Sequence, residues 1–282
     1  MSTAQQARDE LFARAVAPAT SEAEIPRALL VYAHQDDETI ALGARLCRFR
    51  SAHIVHVTDG APRNEEDSRS HGFDKLADYR QARASELATV LAAAGLGGIS
   101  RECLRVPDQE ASLSLAVLAR TMDRIIRQRN PEVIFTHPYE GGHPDHDACA
   151  FAVHQAVELR PESSRPLIIE SPFYHAGANG FEAGSFLVPP HPVRAVEFRL
   201  NDEEQRRKKL LLDLFVTQRQ TLAGFPLAYE RFRVAPQYDF RVPPHTPPVL
   251  YDNYRWGMNS REFVQLSRHT ERILAKRVLV SA

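Results

Sequence analysis

The chain has 282 residues, 43% of them apolar and 25% charged, with a formal net charge of -1 at pH 7. That length suits one large or two small domains with a sizeable core, and the charge balance excludes the basic excess of a dedicated nucleic-acid binder. No apolar run approaches the roughly 20 residues of a membrane helix.

The first residues, MSTAQQARDELFARA, lack the apolar stretch of a signal peptide. Cys47, Cys103 and Cys149 are scattered beside apolar neighbours and read as buried free thiols. A cytoplasmic location is expected. Residues 2–17 have an amphipathic helix pattern, followed by a polar, Pro-bounded link at 18–26. The run ALLVYA at 28–33 reads as a buried strand. It stops at His34-Gln35-Asp36-Asp37-Glu38. A helix pattern spans about 39–50, and HIVHVT at 53–58 is strand-like, closed by the turn signal Asp59-Gly60. Residues 61–72 read as a loop, and 73–94 as a helix ending at Gly95, a residue suited to a helix C-terminus.

A short strand is expected at 104–106, closed by Pro107-Asp108, then a helix at 113–129. A strand at 133–136 ends at His137-Pro138. His143-Pro144-Asp145-His146 leads into a helix through about 159, and a strand follows at 167–170. Strands alternating with helices predict an α/β fold, a mostly parallel sheet with helices on both faces. Ligands in such sheets sit beyond the carboxyl ends of the strands. The polar clusters at 34–38, 58–63, 107–110 and 137–146 all fall there. Further on, 193–200 alternates like an added strand and 201–220 reads as a charged amphipathic helix. Residues 222–257 are rich in Pro and aromatics with little periodicity, a wrap over the core, and 259–277 read as a closing helix. With no repeat or Gly/Ser linker, a single domain over 1–282 is expected, with its motif-bearing core at about 26–170 and a C-terminal elaboration at about 171–282.

Two clusters carry chemistry. Asp36 and Asp37, with His34 upstream, are costly at a partly buried strand end, because like charges repel and desolvation adds to the cost. A cation would relieve this; the alternative is that one carboxylate caps the following helix. The second cluster, His143 to His146, has Pro144 within a first helical turn. Together His34, Asp37 and His146 supply two imidazoles and a carboxylate, a usual set for catalytic zinc with an open position. The same set describes an Fe(II) facial triad. Asp36 and His143 remain free beside it. A spare carboxylate can accept a proton from an activated water. A spare imidazole, if protonated, can stabilise an oxyanion or protonate a leaving amine. His137 reads as a residue behind the site or in packing, and His175 and His245 as loop histidines. Aromatics such as Tyr254 and Trp256 can stack on sugar rings or serve as cover.

These clusters, with three others in order, resemble a known family. AHQDDE at 33–38 resembles the Ala-His-Pro-Asp-Asp-Glu motif of the PIG-L/LmbE-like N-acetylglucosaminyl deacetylases. Thr58-Asp59-Gly60-Ala61, Arg83-Ala84-Ser85-Glu86, Val106-Pro107-Asp108 and His143-Pro144-Asp145-His146 are similar to its later motifs. The resemblance covers about 26–160; beyond it, Lys209 and Thr217-Gln218 resemble a Lys-helix-Ser-Gln pattern. It implies a Rossmann-like three-layer α/β sandwich and a zinc-dependent N-deacetylase, with Fe(II) able to occupy the same set. The implied partner is a small amino-sugar substrate, with no nucleic acid and no membrane span; oligomeric state stays open. The resemblance implies His34, Asp37 and His146 as metal ligands, Asp36 as general base and His143 as electrostatic partner of the tetrahedral intermediate. Arg83 and Asp108 match positions near the substrate. Gln35 stands where the family has Pro, whose ring restricts the preceding residue to extended backbone. Two other readings are an Fe(II) enzyme on the same ligands and a Rossmann-like sugar-binding protein without turnover.

Overall fold

Apolar runs bounded by turn residues form the strands of one sheet. The computed structural model describes residues 3–178, 180–189 and 191–278. In chain order come α1 (Thr3–Ala15), β1 (Ala28–Tyr32), α2 (Asp37–Leu42), β2 (His53–Thr58), α3 (Glu66–Ser70) and α4 (Leu76–Ala93). Then follow β3 (Ser100–Val106), α5 (Leu115–Arg129), β4 (Val133–Thr136), α6 (Pro144–Glu158) and β5 (Leu167–Glu170). The rest comprises the hairpin β6 (Tyr174–Gly177) and β7 (Gly180–Ala183), β8 (Ala195–Arg199), α7 (Asp202–Asp213), α8 (Arg219–Leu222), β9 (Tyr229–Val234) and α9 (Ser260–Val278).

The large sheet has the order β3-β2-β1-β4-β5-β9-β8. Strands β1 to β5 run parallel, with Leu29 opposite His53 and Ala28 opposite Val133, and β9 runs antiparallel to both β5 and β8. Every residue of β1 is buried because helices cover both faces, so the strand shows no polar alternation. Leu30 and Tyr32 face one core with Phe12 of α1, Leu87 of α4 and Leu211 of α7. Leu29 and Val31 face the other with Leu118 of α5, Phe151 of α6 and Phe263 of α9. Successive side chains on a strand point to opposite faces, so one short run serves both cores. This is the expected three-layer α/β sandwich. The order reverses between β1 and β4, the topological switch point where such sheets open a crevice.

Several elements differ from the periodicity. The N-terminal helix is described from Thr3; its expected start at residue 2 lies outside the described residues. The helix expected over 39–50 ends at Leu42, because the chain turns inward to bury Arg45 against Glu230. A Cβ on Gly43 would stand 2.8 Å from Lys208 Cγ, so α2 and α7 touch there. The loop at 61–72 contains α3, and the strand expected at 104–106 begins at Ser100. The helix expected over 201–220 stops at Asp213; Asn201 and Glu204 close its start with reciprocal bonds. The wrap at 222–257 contains β9, a strand inside the sheet rather than over it. Its period was masked because Glu230 and Arg233 are buried as ion pairs, Glu230 to Arg45 at 2.6 Å and Arg233 to Glu170 at 2.9 Å. All three cysteines are free, but only Cys149 is buried; Cys47 is half-buried and Cys103 exposed.

Candidate metal and catalytic site

The loop after β1 and the loop after β4 meet at the switch point. Asp36 occupies the position before α2, yet its side chain makes no capping bond. It turns to Arg83 of α4, Oδ2 to Nη2 at 3.2 Å, and Arg83 Nη1 donates to the Gly60 carbonyl at 3.1 Å. Asp37 Oδ2 accepts the His34 amide at 2.7 Å, which folds the loop back on itself. Glu38, the third carboxylate of the run, is buried against His56 of β2 at 2.9 Å. Gln35, in the place of the family Pro, donates from Nε2 to the Thr58 carbonyl at 3.0 Å. Its side chain thereby ties the end of β1 to the end of β2.

His143 stands just before α6 with Pro144 in the first turn, and its Nδ1 accepts the Asp145 amide at 3.2 Å. That bond assigns the proton of a neutral ring to Nε2. Burial, with His34 adding to it, lowers His143 to about 4, so the neutral ring is the form at neutral pH. Asp145 is wholly buried and accepts the Gln109 and Ala111 amides, fastening the loop after β3 to α6.

His34 Nδ1 lies 3.3 Å from His146 Nε2 and 3.5 Å from Asp37 Oδ2, and His146 Nε2 lies 3.5 Å from Asp37 Oδ1. Four tetrahedral zinc ligands at about 2.0–2.1 Å from the ion stand about 3.3 Å apart, and each of these pairs is near that separation, Asp37 meeting His34 through Oδ2 and His146 through Oδ1. His146 Nδ1 is buried without a hydrogen-bond partner. Beside them, His34 Nε2 faces Asp108 at 3.1 Å and Asp145 at 3.4 Å. Burial opposes an imidazolium at His34, but Asp108, Asp145 and Asp37 outweigh it and raise its pKa well above the ordinary value. Burial works against ionised Asp37, yet His146 and His137 hold it well below the usual carboxylate range. Burial, against the pull of Arg83 and with the push of Asp37, raises Asp36 to about 7. This crowd of carboxylates around imidazoles is the environment a cation relieves.

All seven residues singled out from sequence, His34, Asp36, Asp37, Arg83, Asp108, His143 and His146, line one cavity of about 430 Å³. One neighbour, Asp145, escaped that reading, and His137 lies behind the site as expected. His137 is fully buried, stacks on His146 with ring centroids 3.9 Å apart, and places Nε2 3.2 Å from Asp37. Among the described residues, the groups whose donors lie close enough together to hold an ion are His34, His143 and His146; His34, Asp108, His143 and Asp145; and Asp37, His137 and His146. The His137-Pro138 strand end was the only signal of His137. Asp145 lay within the His-Pro-Asp-His motif itself. In the C-terminal half, Lys209 is exposed and pairs with Asp213 at 2.6 Å; its neighbour Lys208 is the buried one, 3.5 Å from Glu230. Thr217 binds Glu86, and Gln218 donates to the Tyr79 hydroxyl and lines the cavity.

Known proteins are similar to parts of this chain. The family described as PIG-L, GlcNAc-PI de-N-acetylase, matches residues 29–157. The 1D-myo-inositol 2-acetamido-2-deoxy-alpha-D-glucopyranoside deacetylase of Thermobispora bispora is 31% identical over 164 residues, covering 50% of this chain and 54% of that protein. A probable N-acetyl-alpha-D-glucosaminyl L-malate deacetylase 2 of Bacillus cereus is 30% identical over 149 residues, covering 50% of this chain and 64% of that protein. The chain thus spans about half to two thirds of the length of these relatives. A deacetylase of teicoplanin biosynthesis shares the fold at TM-score 0.57 and 17% identity, over 73% of this chain and 96% of its own. The N,N'-diacetylchitobiose deacetylase of Pyrococcus horikoshii does so at TM-score 0.50 and 17% identity, over 87% of this chain and 98% of its own. Over residues 29–157, the chain is similar to the family described as PIG-L, GlcNAc-PI de-N-acetylase.

Proposed function

We propose that this chain is a zinc-dependent hydrolase that removes an N-acetyl group from an amino sugar or amino-sugar conjugate. The observation that carries this reading is the convergence of His34, Asp37 and His146, pairwise at ligand separation, with Asp36 and His143 on the same cavity wall. His34, Asp37 and His146 hold the metal. His34 completes the set in preference to His137 because His34 lines the cavity and His137 is sealed from it; a catalytic ion needs an open position. Bound zinc supplies a Lewis acid for the amide carbonyl and brings water ionisation toward neutral pH.

Asp36 takes the proton of the attacking water and returns it to the departing amine. Arg83 engages only Oδ2 of Asp36, which leaves Oδ1 toward the cavity for that transfer. His143 donates from Nε2–H to the oxygen on which negative charge develops. Asp108, between His34 and His143, accepts a sugar hydroxyl. The names of the relatives, deacetylases of glucosamine-inositol and glucosaminyl-malate conjugates, support an amino-sugar substrate. Residues 1–282 act as one domain in this reading, supported by β8 and β9 completing the sheet begun by β1. Three free thiols support a reducing, cytoplasmic setting. Among the described residues no helix is long and apolar enough to cross a membrane.

The test is acetate release by the zinc-loaded protein from N-acetylglucosamine and its conjugates. Asp36→Ala is expected to lower kcat/KM about 10²- to 10⁴-fold with metal content unchanged. A folded, metal-loaded Asp36→Ala protein that deacetylates at the wild-type rate overturns the assignment.

A further inference from the structure

The cavity extends well beyond the reacting groups. Two rows of aromatic rings lead outward from its histidines. From His143, Trp256 follows at 4.6 Å and then Tyr254, stacked on Trp256 at 4.3 Å with the planes 8° apart. From His146, Tyr174 follows at 5.3 Å and then Phe181 at 5.3 Å. All four rings line the same cavity. Tyr254 and Phe181, the outermost of each row, are 47% and 50% exposed, which is unusual for rings with packed partners. The charge of the wall is one-sided: four carboxylates line it against one guanidinium, Arg83, and Asp36 already pairs with that. Away from its inner end, where the deacetylase reading places the metal, the cavity therefore offers stacking surface to an uncharged group and no unpaired Lys or Arg to a phosphate or carboxylate. About 430 Å³ lies within the range of about 300–1,000 Å³ that takes drug-sized ligands, so a sugar with an attached group fits.

We propose that the preferred substrate is a neutral glycoside whose aglycone is apolar, aromatic above all, seated between these two rows. This rests on the N-deacetylase reading and adds to it the class of conjugate. The sugar amide takes the inner end beside His34, Asp36 and His143, and the aglycone takes the outer rings. Aromatic pairs contribute enough for about a tenfold gain in affinity.

The experiment compares the phenyl, 4-carboxyphenyl and methyl glycosides of N-acetylglucosamine, both anomers, and the methyl glycoside of N-octanoylglucosamine, on zinc-loaded protein. Acetate or octanoate release gives kcat/KM. Trp256 is the single tryptophan of the chain, so its emission, excited at the red edge, reports binding without turnover. The phenyl glycoside is expected to exceed the methyl and the 4-carboxyphenyl glycosides about tenfold in kcat/KM, mainly through KM. It alone is expected to shift Trp256 emission saturably at low concentration. Tyr254→Ala is expected to reduce the phenyl-to-methyl ratio to near one. Equal release from the phenyl and methyl glycosides, with equal emission changes, overturns the proposal and leaves the deacetylase reading standing. A gain confined to the N-octanoyl compound places the apolar group on the acyl side and also overturns it. Selective Trp256 shifts with the phenyl glycoside but no acetate from any compound overturn the deacetylase reading, while the apolar subsite stands.

Discussion

At the scale of single residues, each carboxylate of Asp36-Asp37-Glu38 has its own partner: Arg83, the His34 amide and His56. Three adjacent acids can be buried because three different elements answer them, and the same division leaves Asp36 independent of the metal set. His143 is organised by one backbone contact. The Asp145 amide at its Nδ1 orients the ring and directs its remaining proton into the cavity. His143→Ala is therefore expected to lower kcat about 10²- to 10³-fold while KM and zinc content change little, measured by steady-state acetate release and elemental analysis. Equal losses of zinc and of activity would instead make His143 a ligand. Gln35 is anchored by its side-chain amide, which donates to the Thr58 carbonyl.

At the scale of elements, β9 is the least apparent strand and among the most consequential. Its Glu230 is buried among Arg45 at 2.6 Å, Lys208 at 3.5 Å and the Ala44 amide at 2.8 Å. It joins the turn after α2, helix α7 and the sheet. Removing that carboxylate strands two buried cations, and breaking such a pair costs about 3–5 kcal/mol. Glu230→Ala is expected to lose that much stability in urea unfolding followed by circular dichroism. Glu203→Ala, which removes an exposed one-turn pair with Arg207 on the same α7, is expected to change stability little. Equal effects from the two would mean that Glu230 is solvated and β9 loosely held.

At the scale of the whole molecule, the site exists only because the strand order reverses. β1 and β4 are 100 residues apart in the chain yet adjacent in the sheet, and their carboxyl ends bring His34 and Asp37 to His146. An ion bound there ties both halves of the parallel sheet together and offsets the crowding of Asp37 with its neighbouring acids. A ligand that binds only the folded state adds about 4 kcal/mol at a thousandfold excess over its Kd. Chelation is therefore expected to lower Tm and abolish acetate release, and added zinc to restore both. In His146→Ala, zinc is expected to raise neither. A Tm indifferent to chelator in a protein shown to contain zinc would place the ion away from the sheet.

Much of this was legible in the sequence. The buried strands β4 and β5 showed as short apolar runs, and β2 as a strand-like run broken by His53 and His56, all three at the bounds observed, because a strand covered on both faces needs no polar alternation. His34, Asp36, Asp37, His143 and His146 showed because polar clusters directly after such runs have no packing reason to be there, while Arg83 and Asp108 showed only through the resemblance of their motifs. Short-range rules also held at Gly95, whose positive φ of 75° ends α4. What stayed hidden depends on distant partners. Arg45, Lys208, Glu230 and Arg233 look like surface charges until the fold pairs them inside. The Arg83 contact with Asp36 and the burial of Lys208 in place of Lys209 follow from which helix faces pack together.

The sequence by itself determined the order of elements, the three-layer class and the chemistry stationed at the strand ends, because propensity, periodicity and motif spacing act over a few residues. The tertiary structure decided which imidazoles and carboxylates stand close together, which carboxylate pairs with Arg83 and which aromatics face the cavity. Those outcomes are set by burial and by contacts across 100 residues or more, where desolvation makes a charge either paired or prohibitively costly.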